Sequence, residues 1–320
     1  MSTMTRDIAP RGSAGLGRSP VVSGLLLAVI SATSFGLSGS LVKGLLASGW
    51  TPGSAVLVRV AIAALVLAVP AALSLRGRWG LLRRNLGLIV VFGLLGVAGT
   101  QFFYFQAVAR MQVGVALLIE YTAPVAVVLW VWLRHGQRPG RLTLAGGVVA
   151  AAGLVLVLDL VGGVSVSLAG SLWALAAMVG AASYFVIGAQ EDNGLPPLVL
   201  AASGLVVGAV ALGLLGLVGL IPMDLATSPV AYAIGTVAWW LPVLGLGVIT
   251  AALSYATGIA ASRRLGSRLA SFVALLEVVA AVLFAWLLLG ELPHAVQLAG
   301  GLLILAGVVV VKLGETPRES

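Results

Sequence analysis

A chain of 320 residues with 60% hydrophobic and 9% charged side chains, and a mean hydropathy of +1.14, has too little polar surface for a water-soluble domain of its size. Its net charge of +8 hints at nucleic acid, but the charges flank long apolar stretches and read instead as topology signals, so no nucleic-acid partner is expected. The lack of cysteine excludes disulfides and thiolate metal sites.

Residues 1–20 are polar, carry Arg6, Arg11 and Arg18, and read as a cytoplasmic tail. The apolar run behind them is too long for the roughly 7–15-residue core of a signal peptide and reads as a retained helix. A bilayer core takes about 20 apolar helical residues to cross. Ten stretches meet that length, at 21–44, 52–73, 86–108, 112–133, 141–159, 168–190, 196–219, 238–261, 267–289 and 293–312. They lack the period-two alternation of barrel strands, so each is expected to be a helix.

Span 1 carries Lys43 at its outer end, placed to snorkel to the interface. Span 2 holds Arg59, about 10 Å past Pro52. Span 3 contains the run QFFYF (101–105), with Gln101 and Tyr104. Span 4 holds Glu120, about 12 Å past Gln112, then Tyr121 and Pro124. The proline cannot supply the helical bond to the Glu120 carbonyl, which makes it a candidate hinge. Span 6 carries Tyr184, span 7 a GxxxG pair (Gly204, Gly208) suited to close helix approach, and span 8 Tyr255. Span 9 holds Glu277, about 15 Å past Ser267 and near the midplane. Residues 313–320 form a second cytoplasmic tail.

An ionisable side chain in the bilayer costs about 2.5–3.5 kcal/mol, so Arg59, Glu120 and Glu277 lead the candidates. Glu120 or Glu277 reads as binding a substrate amine or carrying a proton. The alternative is an Arg59–Glu120 ion pair that only neutralises buried charge. Gln101, Tyr104, Tyr121, Tyr184 and Tyr255 can stack on a substrate and hydrogen-bond its polar end, with helix packing as their alternative. Trp50, Trp173, Trp239, Trp240 and Trp286 near the outer interface, and Trp79, Trp130 and Trp132 near the inner one, form an aromatic belt. His135, His294 and Glu291 read as turn or helix-end residues.

With the N-terminus inside, cytoplasmic segments carry 15 Lys and Arg against 2 on the outside, and Arg59 completes the 18. Both termini are therefore expected in the cytoplasm. The turn at 191–195 departs from the bias, with Glu191 and Asp192 and no basic residue.

The chain also repeats itself. GQRPGRLTLAGGVVAAAGLVLV (136–157) and GELPHAVQLAGGLLILAGVVVV (290–311) share ten of 22 positions without gaps, at an offset of 154 residues. Five spans is an odd number, so the second set must enter the membrane in the opposite sense, and the loop arginines change sides with it. The expected class is an all-α integral membrane protein, ten transmembrane helices as two inverted five-helix repeats (21–160 and 165–312), the sequence trait of a transporter.

Residues 107–133 and 261–307 resemble the EamA module of the drug/metabolite transporter superfamily. The resemblance implies this ten-helix fold and, for bacterial members, export of amino acids and other metabolites. Gly290-Glu291 matches the family's Gly-Glu pair, while Gly136-Gln137 keeps only the glycine. Pro124 matches the family's helix-4 proline, although its counterpart is Val278. Arg59 matches the arginine often seen in helix 2, and the region near Ser203 has no such counterpart.

No Walker loop, HExxH, Gly-x-Ser-x-Gly or acid cluster is present, so no catalytic residue, cofactor or metal is expected and the protein is not read as an enzyme. The expected function is a bacterial inner-membrane secondary transporter that exports small amphipathic metabolites, foremost amino acids, by alternating access; the tyrosine and phenylalanine supply leaves room for aromatic or large apolar side chains among them. Its partners would be the small-molecule substrate, the lipid bilayer and, in an antiporter, protons; the chain would act as a monomer or weak homodimer. Proton-coupled multidrug efflux and a non-transporting structural protein are the alternatives.

Overall fold

The computed structural model describes residues 20–123, 125, 126, 132, 133, 136, 140–157, 167–188 and 193–314. In chain order these form α1 (Pro20–Gly36), α2 (Ser38–Ala47), α3 (Pro52–Leu75), α4 (Gly80–Arg84), α5 (Leu86–Val91), a π-helical segment (Phe92–Gly99), α6 (Thr100–Val108) and α7 (Val113–Glu120). There follow α8 (Arg141–Val157), α9 (Leu168–Gly188), α10 (Pro197–Leu217), the strands β1 (Val230–Tyr232) and β2 (Gly235–Val237), and α11 (Trp240–Leu244). A second π-helical segment (Gly245–Leu253) then leads into α12 (Ser254–Ala274), α13 (Leu276–Leu289) and α14 (Ala295–Gly314).

Among the described residues, six helices are long and apolar enough to cross a membrane, and three more are apolar but shorter. Span 4 falls partly outside the described residues, and so does Pro124. α3 shows how composition makes such a helix. Pro52 opens it where a missing N–H is harmless, and Arg76 and Gly77, at φ 48° and 82°, end it. Leu65, Val69 and Leu73 lie exposed along one stripe, while Val56, Val60, Ala63 and Leu67 are buried on the other. A helix apolar on every face is soluble only in lipid.

Every major helix pairing joins the two halves. α1 packs on α12 and α6 on α9, α3 on α10, α7 on α13, and α8 on α14. α8 and α14 make the largest of these contacts and run antiparallel: Gly146 meets Gly307, and Gly153 meets Gly300. Both partners of each glycine pair recur at the 154-residue offset, so related positions exchange places across the contact.

Three features depart from expectation. Residues 262–266, expected as a cytoplasmic turn, are helical within α12, and the chain breaks instead at Leu275. Ser, Arg and Leu carry no turn signal strong enough to stop a helix, and Gly266 alone does not. The connection after α10 is not bare loop. Val230 pairs with Val237 in an antiparallel hairpin, a pattern too short to stand out from composition. Trp50, expected in the interfacial belt, is only 5% exposed, stacks 6.2 Å from Trp239 and donates its indole N–H to the Ala226 carbonyl at 2.7 Å. Trp79, Trp240, Trp286 and Trp132 are exposed; Trp130 lies outside the described residues.

The segment that buries Trp50 is stitched across the α2–α3 turn. Thr51 Oγ1 donates to Pro222 O at 2.8 Å, Ser54 Oγ to Asp224 O at 2.6 Å, and the Tyr232 hydroxyl to Leu41 O at 2.9 Å. Gly44 is required there, because a Cβ would stand 2.3 Å from the Tyr232 ring.

Candidate functional site

Two irregularities of the backbone frame the centre of the molecule. The π-helical segments occupy matching places in the halves, coinciding within one residue under the 154-residue offset. The widened turns are rich in glycine, and threonines satisfy carbonyls there: Thr100 Oγ1 donates to Leu95 O at 2.9 Å and Thr250 Oγ1 to Leu246 O at 2.8 Å. Such segments gather at functional sites because they re-aim the residues that follow, here Gln101, Tyr104 and Phe105 in one half and Tyr255 in the other. The second irregularity is a pair of helix breaks. α7 stops at Glu120, with Tyr121 and Thr122 in a turn, and the matching position of the second half is the break at Leu275.

Arg59 is 1% exposed in the middle of α3. It makes no ion pair among the described residues. Its guanidinium donates to Ser38 Oγ at 2.7 Å and to Thr250 O at 3.1 Å, and its Nε–H has no partner. The Phe35 and Phe105 rings lie 5.0 and 5.4 Å from the guanidinium carbon, two cation–π contacts that stabilise charge without neutralising it. Tyr255, Tyr104, Glu277 and Glu120 lie within electrostatic range of this cation. A direct Arg59–Glu120 pair is therefore replaced by a looser grouping of one cation and two acids.

The two carboxylates are held differently. Glu277 sits in the first turn of α13, where the helix dipole favours an anion, and accepts the Tyr121 hydroxyl at 2.7 Å. Glu120 ends α7, where the dipole opposes an anion, and has no hydrogen bond or ion pair among the described residues. Tyr184 and Tyr255 face each other edge-on at 6.3 Å, and Phe92 adds to Tyr184 at 5.5 Å. Glu120, Tyr121, Tyr184, Tyr255 and Glu277 are half-buried, whereas Arg59, Gln101 and Tyr104 are buried. A shallow crevice too narrow to admit water, lined in part by Trp50, Val58 and Leu246, reaches Arg59 from the α2–α3 turn.

The structure thus brings together Arg59, Gln101, Tyr104, Glu120, Tyr121, Tyr184, Tyr255 and Glu277. The QFFYF run divides: Tyr104 and Phe105 are buried near Arg59, while Phe102 and Phe103 pack on Trp173 at 6.1 and 5.6 Å, with Arg110 over the same ring. No metal-binding group of three acids or histidines exists among the described residues.

Sequence reasoning missed several residues. Ser38, Thr250 and Phe35 are ordinary in an apolar helix, and no spacing links them to Arg59. Lys43 does not snorkel. It pairs with Glu291 and donates to Met111 O at 2.8 Å, while Glu291 also accepts Val113 N–H at 3.3 Å, so Glu291 is more than a helix-end residue. The matching Gly-Glu motif was the one available signal.

The EamA-like transporter family matches residues 22–159 and 168–313 of the chain. A probable terminal-alkyne amino-acid exporter of Streptantibioticus cattleyicolor is 30% identical over 267 residues, 80% of this chain and 82% of that protein. The threonine/homoserine exporter RhtA of Salmonella typhimurium is 25% identical over 303 residues, covering 93% of this chain and 92% of its own length. A solved crystal structure at 22% identity covers 92% of this chain and 98% of its own, with a TM-score of 0.59, a likeness of fold.

Proposed function

This chain belongs to the EamA-like transporter family, and on that premise we propose that it exports α-amino acids across the bacterial inner membrane by alternating access. The observation that carries this reading is the central grouping of one buried cation, Arg59, with two carboxylates, of which Glu120 has no hydrogen bond or ion pair among the described residues. A zwitterion supplies the missing complement: its carboxylate answers Arg59 and its ammonium answers Glu120. Tyr104, Tyr121, Tyr184 and Tyr255 add hydrogen bonds and apolar faces for the side chain. The two amino-acid exporters among the relatives agree with that substrate class.

The membrane arrangement belongs to the same proposal. Ten helices form two inverted repeats, 21–160 and 165–312, with the tails 1–20 and 313–320 in the cytoplasm. Support comes from the arginine bias and from the antiparallel crossing of the related helices α8 and α14. In this orientation the Lys43–Glu291 pair and the 218–239 segment lie on the outer side, so the conformation is closed outward. Pro124, whose ring nitrogen cannot donate the helical bond to the Glu120 carbonyl, would serve as hinge. Proton coupling, if present, runs through Glu120, the acid without a fixed partner.

Counterflow in proteoliposomes tests the reading. Vesicles loaded with unlabelled L-threonine or L-phenylalanine should transiently accumulate the same labelled amino acid. No counterflow for any of the common amino acids overturns the proposal. An imposed pH gradient separates antiport, which responds to it, from facilitated efflux, which does not.

A further inference from the structure

Gln101 is 4% exposed in α6, and among the described residues neither its amide nitrogen nor its amide oxygen has a hydrogen-bond partner. The Tyr255 hydroxyl lies beside the amide and interacts with it electrostatically, without a formed hydrogen bond. Buried amides are normally paired, because an unpaired one forfeits its hydration with nothing in return. A residue needed only to fill space here would be leucine or methionine. An amide with both ends vacant is suited to a ligand that brings both a donor and an acceptor.

Its surroundings say where that ligand would lie. Gln101 and Phe105 share a face of α6, one turn apart, and the Phe105 ring lies 5.4 Å from the Arg59 guanidinium carbon. The Arg59 Nε–H is also unpartnered among the described residues, and Tyr255 lies near both Gln101 and Arg59. Gln101 and Tyr255 occupy matching positions of the two halves under the 154-residue offset, so they meet where the halves exchange places. Glu120, likewise within electrostatic range of Arg59, stands at the end of α7.

We propose that the Gln101 amide reads the head group of a free α-amino acid, its Nε2–H donating to the α-carboxylate beside Arg59 and its Oε1 accepting from the α-ammonium beside Glu120. This rests on the exporter reading above and narrows it: both ends of the substrate must be unblocked. A simple amine would satisfy only Oε1 and a simple carboxylate only Nε2. The side chain is left to the Tyr184–Tyr255–Phe92 aromatic group, which selects chiefly by size and apolarity.

The test uses the purified full chain and measures binding of L-threonine and L-phenylalanine, each beside its methyl ester and its N-acetyl derivative. The unaltered protein should bind the free amino acid about tenfold or more tightly than either blocked form. In Gln101→Leu and Gln101→Met that preference should fall below about threefold, while the Tm without ligand holds or rises, since no vacant amide remains. A variant that folds and keeps the full preference overturns the proposal. If neither variant folds, the blocked analogues on the unaltered protein still decide. Binding without discrimination removes the role of Gln101 and leaves the exporter reading intact; no binding or counterflow of any amino acid removes both.

Discussion

At the residue scale, the centre of the molecule is governed by unequal treatment of similar groups. Glu277 has a hydroxyl donor and a favourable helix end; Glu120 has neither. Removing the charge at Glu120 breaks no bond, so Glu120→Gln should leave Tm within about 1–2 °C while lowering counterflow by about tenfold or more, read in proteoliposomes. Tyr121→Phe should act oppositely, costing about 1–2 kcal/mol of stability by releasing a buried carboxylate from its donor. Equal effects of the two changes on both readouts would contradict this division. The individual candidates Arg59, Glu120 and Glu277 were legible because ionisable residues are conspicuous in apolar helices. Their partners were not. Glu291 lies 248 positions from Lys43, and no local pattern reports so distant a neighbour.

At the scale of elements, the crossing of α8 and α14 depends on the absence of side chains. A Cβ on Gly153 would stand 2.6 Å from Gly300 O, and one on Gly307 would stand 2.5 Å from Ala150 N. Both obstacles are backbone and cannot turn aside. Gly153→Ala and Gly307→Ala should each cost about 1–3 kcal/mol, whereas Gly147→Ala, whose Cβ would meet Val125 at an ordinary 3.8 Å, should be near neutral. Thermal unfolding in detergent distinguishes them. The 154-residue repeat disclosed these glycines in the sequence, but not that Gly153 and Gly307, rather than Gly147, face the partner helix. The π-helical segments were invisible for a different reason. Their glycines and apolar residues suit an α-helix equally well, and the wider turn is selected by what packs beside it.

At the scale of the whole molecule, the two sequence halves are not two bodies. α1, α3, the second π-helical segment, α12 and α13 gather in one bundle; the first π-helical segment, α6, α7, α9 and α10 gather in another. Each bundle draws helices from both halves, and exchanging the halves carries one bundle onto the other. Rocking of one repeat against the other would tear α1 from α12, α3 from α10 and α6 from α9, the largest contacts after α8–α14, whereas motion of the mixed bundles gives up only α3–α10 among these three. The moving units should be the mixed bundles. Because the chain lacks cysteine, paired cysteines can test this. A disulfide between Ser31→Cys and Ser254→Cys, whose hydroxyls are 3.3 Å apart within one bundle, should leave counterflow intact. One between Lys43→Cys and Met111→Cys, which bridges the bundles at the Glu291 latch, should block counterflow until reduced. Reversed outcomes would restore repeat-against-repeat motion.

The sequence by itself determined the solvent, the helical class, the family and the acids and arginine that have no business in lipid, because hydropathy, span length and an intramembrane charge are local quantities. Tertiary structure alone decided which helices form a bundle, which carboxylate is left without a donor, and that Lys43 locks onto Glu291. Those outcomes depend on packing between residues far apart in the chain, where apolar helices offer many equivalent faces and only close contact chooses among them.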